Sequence, residues 1–363
     1  MSPTTPLPSQ NVVLTVTENK KQMIALICED ILTDIVWQTQ HTQTHKLVIT
    51  GQDDVPHEIF CAKTSLRSDM ITMHEEADNI IVQQAITVAF LGVTKVIVIS
   101  DDTDVFILLL HYYLQQKITV QIIMESPIRN RTVIDIGSTV LQHKTIIPDL
   151  LAAHALSGCD TTASCFGIGK GKVVKALRQG HSLSCLGDEK SDPTDVIRQT
   201  SQFMSACYGY PDCKSITEAR VKTWASKMGK GCTQMPKLCS LPPTAESFTE
   251  NVKRAHLQTC VWKAALKPQA PSMDPLKHGY CKDVASRCLL PITVPENTKL
   301  APPEILKLIK CSCSSDSPCK TNRCGCNIAK LPCTMFCACA DIGCCNDLTQ
   351  TVYSEKDEED DSG

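Results

Sequence analysis

Residues 96–110 read VIVISDDTDVFILLL, and this stretch decides the expected fold. Val96, Ile97, Val98 and Ile99 form a continuous β-branched run, the pattern of a strand buried on both faces of a parallel sheet. Asp101, Asp102 and Asp104 interrupt it, and residues 105–114 return to helical spacing. A strand that ends in acids and runs directly into a helix opens a β–α unit. In open α/β sheets, ligands bind beyond the carboxyl ends of such strands. The acids also break the apolar run well short of the roughly 20 residues that a membrane-spanning helix needs.

The pattern continues outward from this unit. Residues 75–91 read as a helix with Ala77, Ile81, Ala85 and Val88 on one face and Gly92 as its stop. Residues 46–50, 118–124 and 132–136 read as strands, and residues 149–156 as a helix ended by Gly158. This alternation, from about 46 to 178, predicts an α/β class with a mostly parallel sheet and flanking helices. Upstream, Ile24, Ile27, Ile31 and Ile35 place an amphipathic helix over 20–37. Residues 200–267 read as helical, and 211–267 are basic, with ten Lys/Arg against four Asp/Glu. Within them, Thr244 is a candidate cap for a helix carrying Phe248, Val252, Ala255, Thr259 and Trp262 on one face. Seven prolines in 268–303 predict a stiff linker. Residues 1–16, polar and Pro-rich, and 348–363, strongly acidic, are expected to be disordered tails.

The net charge of −3 means that any nucleic-acid binding must rest on local basic patches. The opening MSPTTPLPSQ has neither the basic nor the apolar region of a signal peptide, so an intracellular chain is expected. In that setting dense cysteines read as metal ligands and scattered ones as small buried hydrophobes. Of the 22 cysteines, ten fall between 311 and 345.

Three acidic clusters stand out: HEEAD (74–78), DDTD (101–104) and the SGCD ending at Asp160. Asp102 and Asp104 share one side if the extended backbone continues. Glu76 and Asp78 converge only if their helix starts at or after them; otherwise Glu75 and Asp78 make the better pair. Carboxylates gathered at one site raise each other's pKa unless cations neutralise them, and an oxygen-rich site suits Mg²⁺ or Mn²⁺. Two such ions ~3.5–4 Å apart activate water and stabilise the leaving oxygen of a phosphodiester. The competing reading is a solvated rim of helix-start and turn residues. After Asp160, GIGKGKVVKAL (167–177) predicts a tight turn into a helix whose N–H groups can hold a phosphate. His74-Glu75 lacks the second histidine of a zinc-protease helix, because position 78 is Asp. His154 reads as a core histidine.

Glu76-Ala77-Asp78, Asp102-Thr103-Asp104 and Gly158-Cys159-Asp160 with the glycine turn resemble the later half of the flap-endonuclease-like nucleases, a branch of the PIN-like fold. The resemblance covers about residues 70–180. It implies that Glu76, Asp78, Asp102, Asp104 and Asp160 are catalytic residues that bind two Mg²⁺ or Mn²⁺ ions. It also implies a helix–two-turn–helix at 158–178 that grips duplex DNA through Gly167, Gly169, Lys170 and Lys172. The strings HEEAD, SDDTDV and HALSGCD further resemble nuclease-like proteins carried by mobile elements. The family's sheet begins with two earlier acids that have no matching motif in residues 1–70, where Asp53 and Asp54 are the nearest substitutes. The nuclease core, residues 17–195, is therefore expected to be N-terminally incomplete.

From Cys311 the spacing is C-x-C-x5-C-x4-C-x-C-x6-C-x3-C-x-C-x4-C-C-N. Thiolates select tetrahedral Zn²⁺. Three such ions need twelve ligand positions, which nine thiolates fill if three of them bridge. Cys311, Cys313, Cys319, Cys324, Cys326, Cys333, Cys337, Cys339 and Cys344 supply the nine, with Cys345 interchangeable with Cys344. A disulfide framework and a metal store are the alternatives. The pattern, within residues 304–347, resembles the tesmin/TSO1-like CXC domain, a three-zinc DNA-binding module. The chain departs from that family at Arg323, where many members carry Tyr, and in a longer final gap; an arginine at this position, helped by Lys320 and Lys330, is suited to enter a minor groove. Together the two resemblances imply a nuclear protein acting on duplex or branched DNA, either as a metal-dependent nuclease or as an inactive, mobile-element-derived DNA binder.

Overall fold

The computed structural model describes residues 16–51, 53–128, 131–228, 238–283, 288–295 and 298. Of the cysteine-rich segment it describes 311–313, 319–320, 323–328, 332–333, 337–339, 344 and 346. The chain divides into two compact units, Met1–Pro295 and Glu296–Gly363. Residues 1–15, most of the acidic tail's neighbourhood and the tail itself, Lys330 and Cys345 lie outside the described residues.

The larger unit opens with α1 (Thr17–Thr33) and α2 (Ile35–His41) rather than one helix over 20–37. Asp34 divides them, because its carboxylate accepts the Trp37 N–H at 2.9 Å and starts a new helix. The isoleucine face is not core: Ile24, Ile27 and Ile35 are exposed, and Cys28 is the buried residue of α1. β1 (Leu47–Ile49) enters an antiparallel meander with β2 (His57–Phe60) and β3 (Lys63–Leu66). The β2–β3 turn is Cys61-Ala62, both at positive φ, 49° and 56°. This is the backbone of a two-residue hairpin loop that ordinarily calls for Asn-Gly.

Next come α3 (Ala77–Ala89), β4 (Lys95–Ile99), α4 (Thr103–Gln115) and β5 (Gln121–Glu125). β4 and β5 run parallel, with Lys95 opposite Gln121 and Ile99 opposite Glu125. The expected mostly parallel sheet is thus one parallel pair. β6 (Ile134–Asp135) adds to β5 antiparallel, and the 47–66 meander forms a separate sheet. The result is a mixed α/β fold in which helices outweigh sheet. β4 also departs from the expected two-faced burial. Val96 and Val98 face the core, while Ile97 and Ile99 are 49% and 66% exposed. A continuous apolar run cannot distinguish a covered face from an open one.

Asp135 caps α5 (Ile136–His143) by accepting the Ser138 N–H at 2.7 Å. α6 (Ile147–Ser157) and α7 (Lys170–Arg178) follow, then α8 (Pro193–Cys207), α9 (Ile216–Met228) and α10 (Ala245–Lys263). Segment 158–178 therefore holds one helix, α7; the partner across its turn is the preceding α6. α10 matches the sequence reading closely. Thr244 caps it through the Ser247 N–H, and Phe248, Val252, Ala255, Thr259 and Trp262 are all buried. It packs on α6, and the Tyr112 hydroxyl of α4 donates to the Trp262 carbonyl at 2.7 Å. α4 and α6 fill the centre with Leu108, Leu109, Leu151 and Leu156.

The proline-rich stretch is not a free linker as far as Pro295. A hairpin of β7 (Tyr280–Lys282) and β8 (Leu289–Pro291) lies against α10. The Arg254 guanidinium donates to the Gly279 and Ile292 carbonyls at 2.9 and 2.8 Å, fastening both ends of the hairpin. Prolines stiffen this segment, but buried donors on α10 decide where it lies. In the smaller unit, the described helix is α11 (Gly325–Ile328).

Gly158 makes the turn that delivers Asp160. Its φ is +114°, and an added Cβ would sit 2.9 Å from the Ser164 Cβ and 3.0 Å from its Cα. Gly158→Ala is expected to destabilise the larger unit by about 1–3 kcal/mol, read as a lower urea midpoint at unchanged slope. An unchanged midpoint would contradict the packing described here.

Candidate metal centres

Glu76 is the N-cap of α3 at φ −81° and ψ 124°, so the helix begins at Ala77, between Glu76 and Asp78, and Glu76 does not join the carboxylates that group with Asp78. Asp102 is the N-cap of α4. Its carboxylate accepts the Asp104 N–H at 2.8 Å, while its own N–H donates to the Ser100 hydroxyl at 3.0 Å. Capping fixes the backbone so that Asp102 and Asp104 leave the end of β4 together. One carboxylate oxygen from each of Asp78, Asp102 and Asp104 lies within 4.8 Å of the others. Asp101 is turned away and pairs with Arg131 at 3.1 Å.

The flanking acids are held by groups the sequence reading did not assign. Glu76 accepts two hydrogen bonds from the Gln258 amide on α10, at 3.2 and 3.1 Å. Asp104 pairs with His154 Nε2 at 2.6 Å, with the histidine side chain 5% exposed. His154 is thus a core histidine, as read, but its partner is a site carboxylate. Asp160 is exposed and stands outside the three-carboxylate group, although its charge reaches Asp78.

Electrostatics agree with crowding. Burial, followed by the charges of Asp102, Asp104, Glu76 and Asp160, pushes the Asp78 carboxyl up to about 6. Burial and the charge of Asp104 also raise Glu76. A divalent cation relieves both effects, and an all-oxygen donor set suits a hard ion. The geometry can therefore hold such an ion.

The folded pKa of Asp78 lies above its ordinary value. Between about pH 4 and 6 the folded protein then binds more protons than the unfolded one, and stability falls as pH rises through that window. In chelator, wild type is expected to lose stability relative to Asp78→Asn from pH 4.5 to 6.5. Saturating Mn²⁺ should raise the melting temperature of wild type but not of the variant. Parallel pH curves for the two proteins, or equal Mn²⁺ responses, would refute the crowding.

The lysines of the glycine turn depart from expectation. Lys170 Nζ donates to the His154 carbonyl at 3.1 Å, the Ser157 hydroxyl at 2.9 Å and the Gly158 carbonyl at 2.6 Å. It satisfies the orphan carbonyls at the α6 C-terminus, where a cation also meets the negative helix end. It is not a free phosphate donor. Lys172 Nζ donates to the Gly167 carbonyl at 2.7 Å. Gly167, at φ +73°, and Gly169, the N-cap of α7, leave open backbone with nothing within 4 Å of an added Cβ. Lys175 and Arg178 are exposed in the last turn of α7, at the helix end away from these glycines.

In the cysteine-rich unit the sulfurs crowd together. Cys311 lies 3.6 Å from Cys319 and from Cys339, Cys319 lies 3.5 Å from Cys333, and Cys326 lies 3.6 Å from Cys337. These separations far exceed the ~2.05 Å of a disulfide. They match the edge of a tetrahedron of sulfurs about 2.3 Å from a zinc ion, roughly 3.8 Å. Three groups of four satisfy ligand spacing: Cys311/313/319/324, Cys311/319/333/339 and Cys311/326/333/337. Cys311 belongs to all three, and Cys319 and Cys333 to two each. Cys344 is buried but in none of these groups; it accepts the Asn346 N–H at 3.3 Å.

The donor set fits metal ions. Burial, with neighbouring thiols, pushes Cys326 and Cys339 up to about 12 and Cys319 and Cys333 higher still. At Cys324 burial is outweighed by donors that include the Asn327 N–H, and its pKa falls to about 7. So many crowded sulfurs ionise together only around cations. Arg323 and Lys320 are exposed on this unit.

No protein-family model, no curated protein and no solved structure matches the chain.

Proposed function

We propose that this chain is a DNA-binding protein with a divalent-metal-dependent phosphodiesterase site of the flap-endonuclease kind and a C-terminal zinc module. The observation that carries the first half is the convergence of Asp78, Asp102 and Asp104 from the start of α3 and the end of β4. Mg²⁺ or Mn²⁺ at these carboxylates would supply an activated water and charge stabilisation for the leaving oxygen. The protein's share is positional. His154 holds the Asp104 carboxylate, Gln258 holds Glu76, and Lys170 locks the turn that carries Asp160. The open backbone at Gly167 and Gly169, at the start of α7, is the phosphodiester contact. About three Zn²⁺ ions in the cysteine unit, with Arg323 and Lys320 exposed, form the second DNA contact, and a nuclear location follows from that role.

A second reading has its own support. Asp160 stands apart from the three-carboxylate group, and Ile97 and Ile99 leave one face of β4 open. Both fit a DNA-binding protein with a truncated, inactive nuclease fold. One assay separates the two. Flap and duplex substrates incubated with Mg²⁺ or Mn²⁺ are expected to be cut, and chelator is expected to stop cutting without releasing the DNA. Binding with no cleavage under any divalent ion would sustain the second reading and end the first.

A further inference from the structure

Away from the carboxylates, a cavity of about 330 Å³ is lined by Ser164, Phe166, Arg220, Ser247, Asn251 and Arg254, among others, and by no acid. It shares no residue with the carboxylate centre. Two arginines line it. Arg254 is 5% exposed, and its donors go to the Gly279 and Ile292 carbonyls and, at 3.3 Å, to the Asn251 side-chain oxygen. Arg220 donates to the Pro242 carbonyl. Carbonyls satisfy N–H groups but leave the positive charge in place. Among the described residues neither arginine makes an ion pair. The Arg254 guanidinium also lies over the Tyr280 ring, 6.0 Å from its centroid, and the nearest acid in sequence, Glu250, pairs instead with Lys253 at 2.7 Å.

Burial disfavours both guanidinium charges. Arg254 is buried and Arg220 half-buried, and burying a cation without a carboxylate is costly unless a ligand supplies the counter-charge. The Ser164 and Ser247 hydroxyls make no hydrogen bond among the described residues, so they remain donors to a guest.

We infer that the Arg220–Arg254 cavity is a binding site for a phosphate monoester, held by two guanidiniums with Ser164 and Ser247 on the wall. Planar guanidiniums match the oxygens of a phosphate, and a dianion balances both charges. The monoester can be the terminal phosphate of a nucleic-acid strand or a small free phosphate. Neither nuclease activity nor a divalent ion enters this inference.

The test uses the full chain in metal-free buffer at fixed ionic strength. Inorganic phosphate is titrated against chloride, with binding read by calorimetry and by melting temperature. Saturable stabilisation by phosphate but not chloride is expected, and Arg220→Gln should weaken it about tenfold or more. Ser247→Asp, which supplies an internal carboxylate, should raise the melting temperature of the unliganded chain and remove the phosphate response. This variant also decides the question if Arg220→Gln fails to fold. Arg220-dependent preference for a 5′-phosphorylated over a 5′-hydroxyl oligonucleotide would assign the site to a strand end. An Arg220-dependent response to inorganic phosphate without that preference would assign it to a small phosphate. No saturable phosphate binding, or equal binding by wild type and both variants, would overturn the inference.

Discussion

Asp104→Asn and Asp102→Ala are each expected to lower Mg²⁺- or Mn²⁺-dependent nicking of branched DNA by at least about a hundredfold, with duplex binding unchanged. Asp104→Asn is the more informative change. It keeps the shape of the side chain and an oxygen for the 2.6 Å contact with His154, so the larger unit should remain folded. What it removes is a negative charge from a group of three carboxylates within 4.8 Å. A cation held mainly by charge then loses affinity and position together. Asp102→Ala also deletes the α4 cap, and its melting temperature must be compared with wild type before a kinetic loss is assigned to the metal. Cleavage by both variants at the wild-type rate would end the hydrolase proposal, whatever the DNA affinity.

Metal removal from the cysteine-rich unit should have the larger structural effect. Chelation is expected to release about three Zn²⁺ per chain and to unfold this unit while the larger unit melts as before. The reason is the absence of another driving force among the described residues. The buried cluster there consists of Cys311, Cys319, Cys324, Cys326, Cys333, Cys337, Cys339 and Cys344. Structural zinc contributes about 10–16 kcal/mol per site at neutral pH, far beyond what so small an apolar cluster supplies. Substitutions should grade by sharing. Cys311→Ser touches all three four-sulfur groups and should cost more than one ion, whereas Cys313→Ser touches one. Native mass spectrometry of each variant gives the zinc count. A folded, zinc-free unit with disulfides would refute the assignment, because every described sulfur pair stands too far apart for a bond.

Local chemistry explains what was legible from residues alone. The α10 face and its Thr244 cap were readable because a helix start and a 3.6-residue apolar period are both short-range signals. The parallel β4–α4–β5 unit was readable for the same reason. The three acidic clusters announced a site because the strand end at Ser100 and the turn at Gly158 are written in adjacent residues. The hairpin at Cys61-Ala62 was not readable, since neither residue advertises the positive φ that both adopt. The helix over 20–37 was overextended because Asp34 looks like an ordinary surface acid until its carboxylate is seen on the Trp37 N–H. The proline-rich segment looked free because nothing within it reveals that Arg254 is waiting for its carbonyls.

Composition and spacing alone pointed to the mixed α/β class and to carboxylate and cysteine clusters able to hold metal, because ligand chemistry depends on residue identity and separation along the chain. Tertiary structure alone decided which acids meet, that Lys170 serves a helix end rather than a phosphate, that His154 and Gln258 orient Asp104 and Glu76, and that one face of β4 stays open. Those outcomes depend on contacts between separate elements, among them His154 with Asp104, 50 positions apart, and Gln258 with Glu76, 182 positions apart. Packing sets such distances through the whole core at once, and no local pattern carries them.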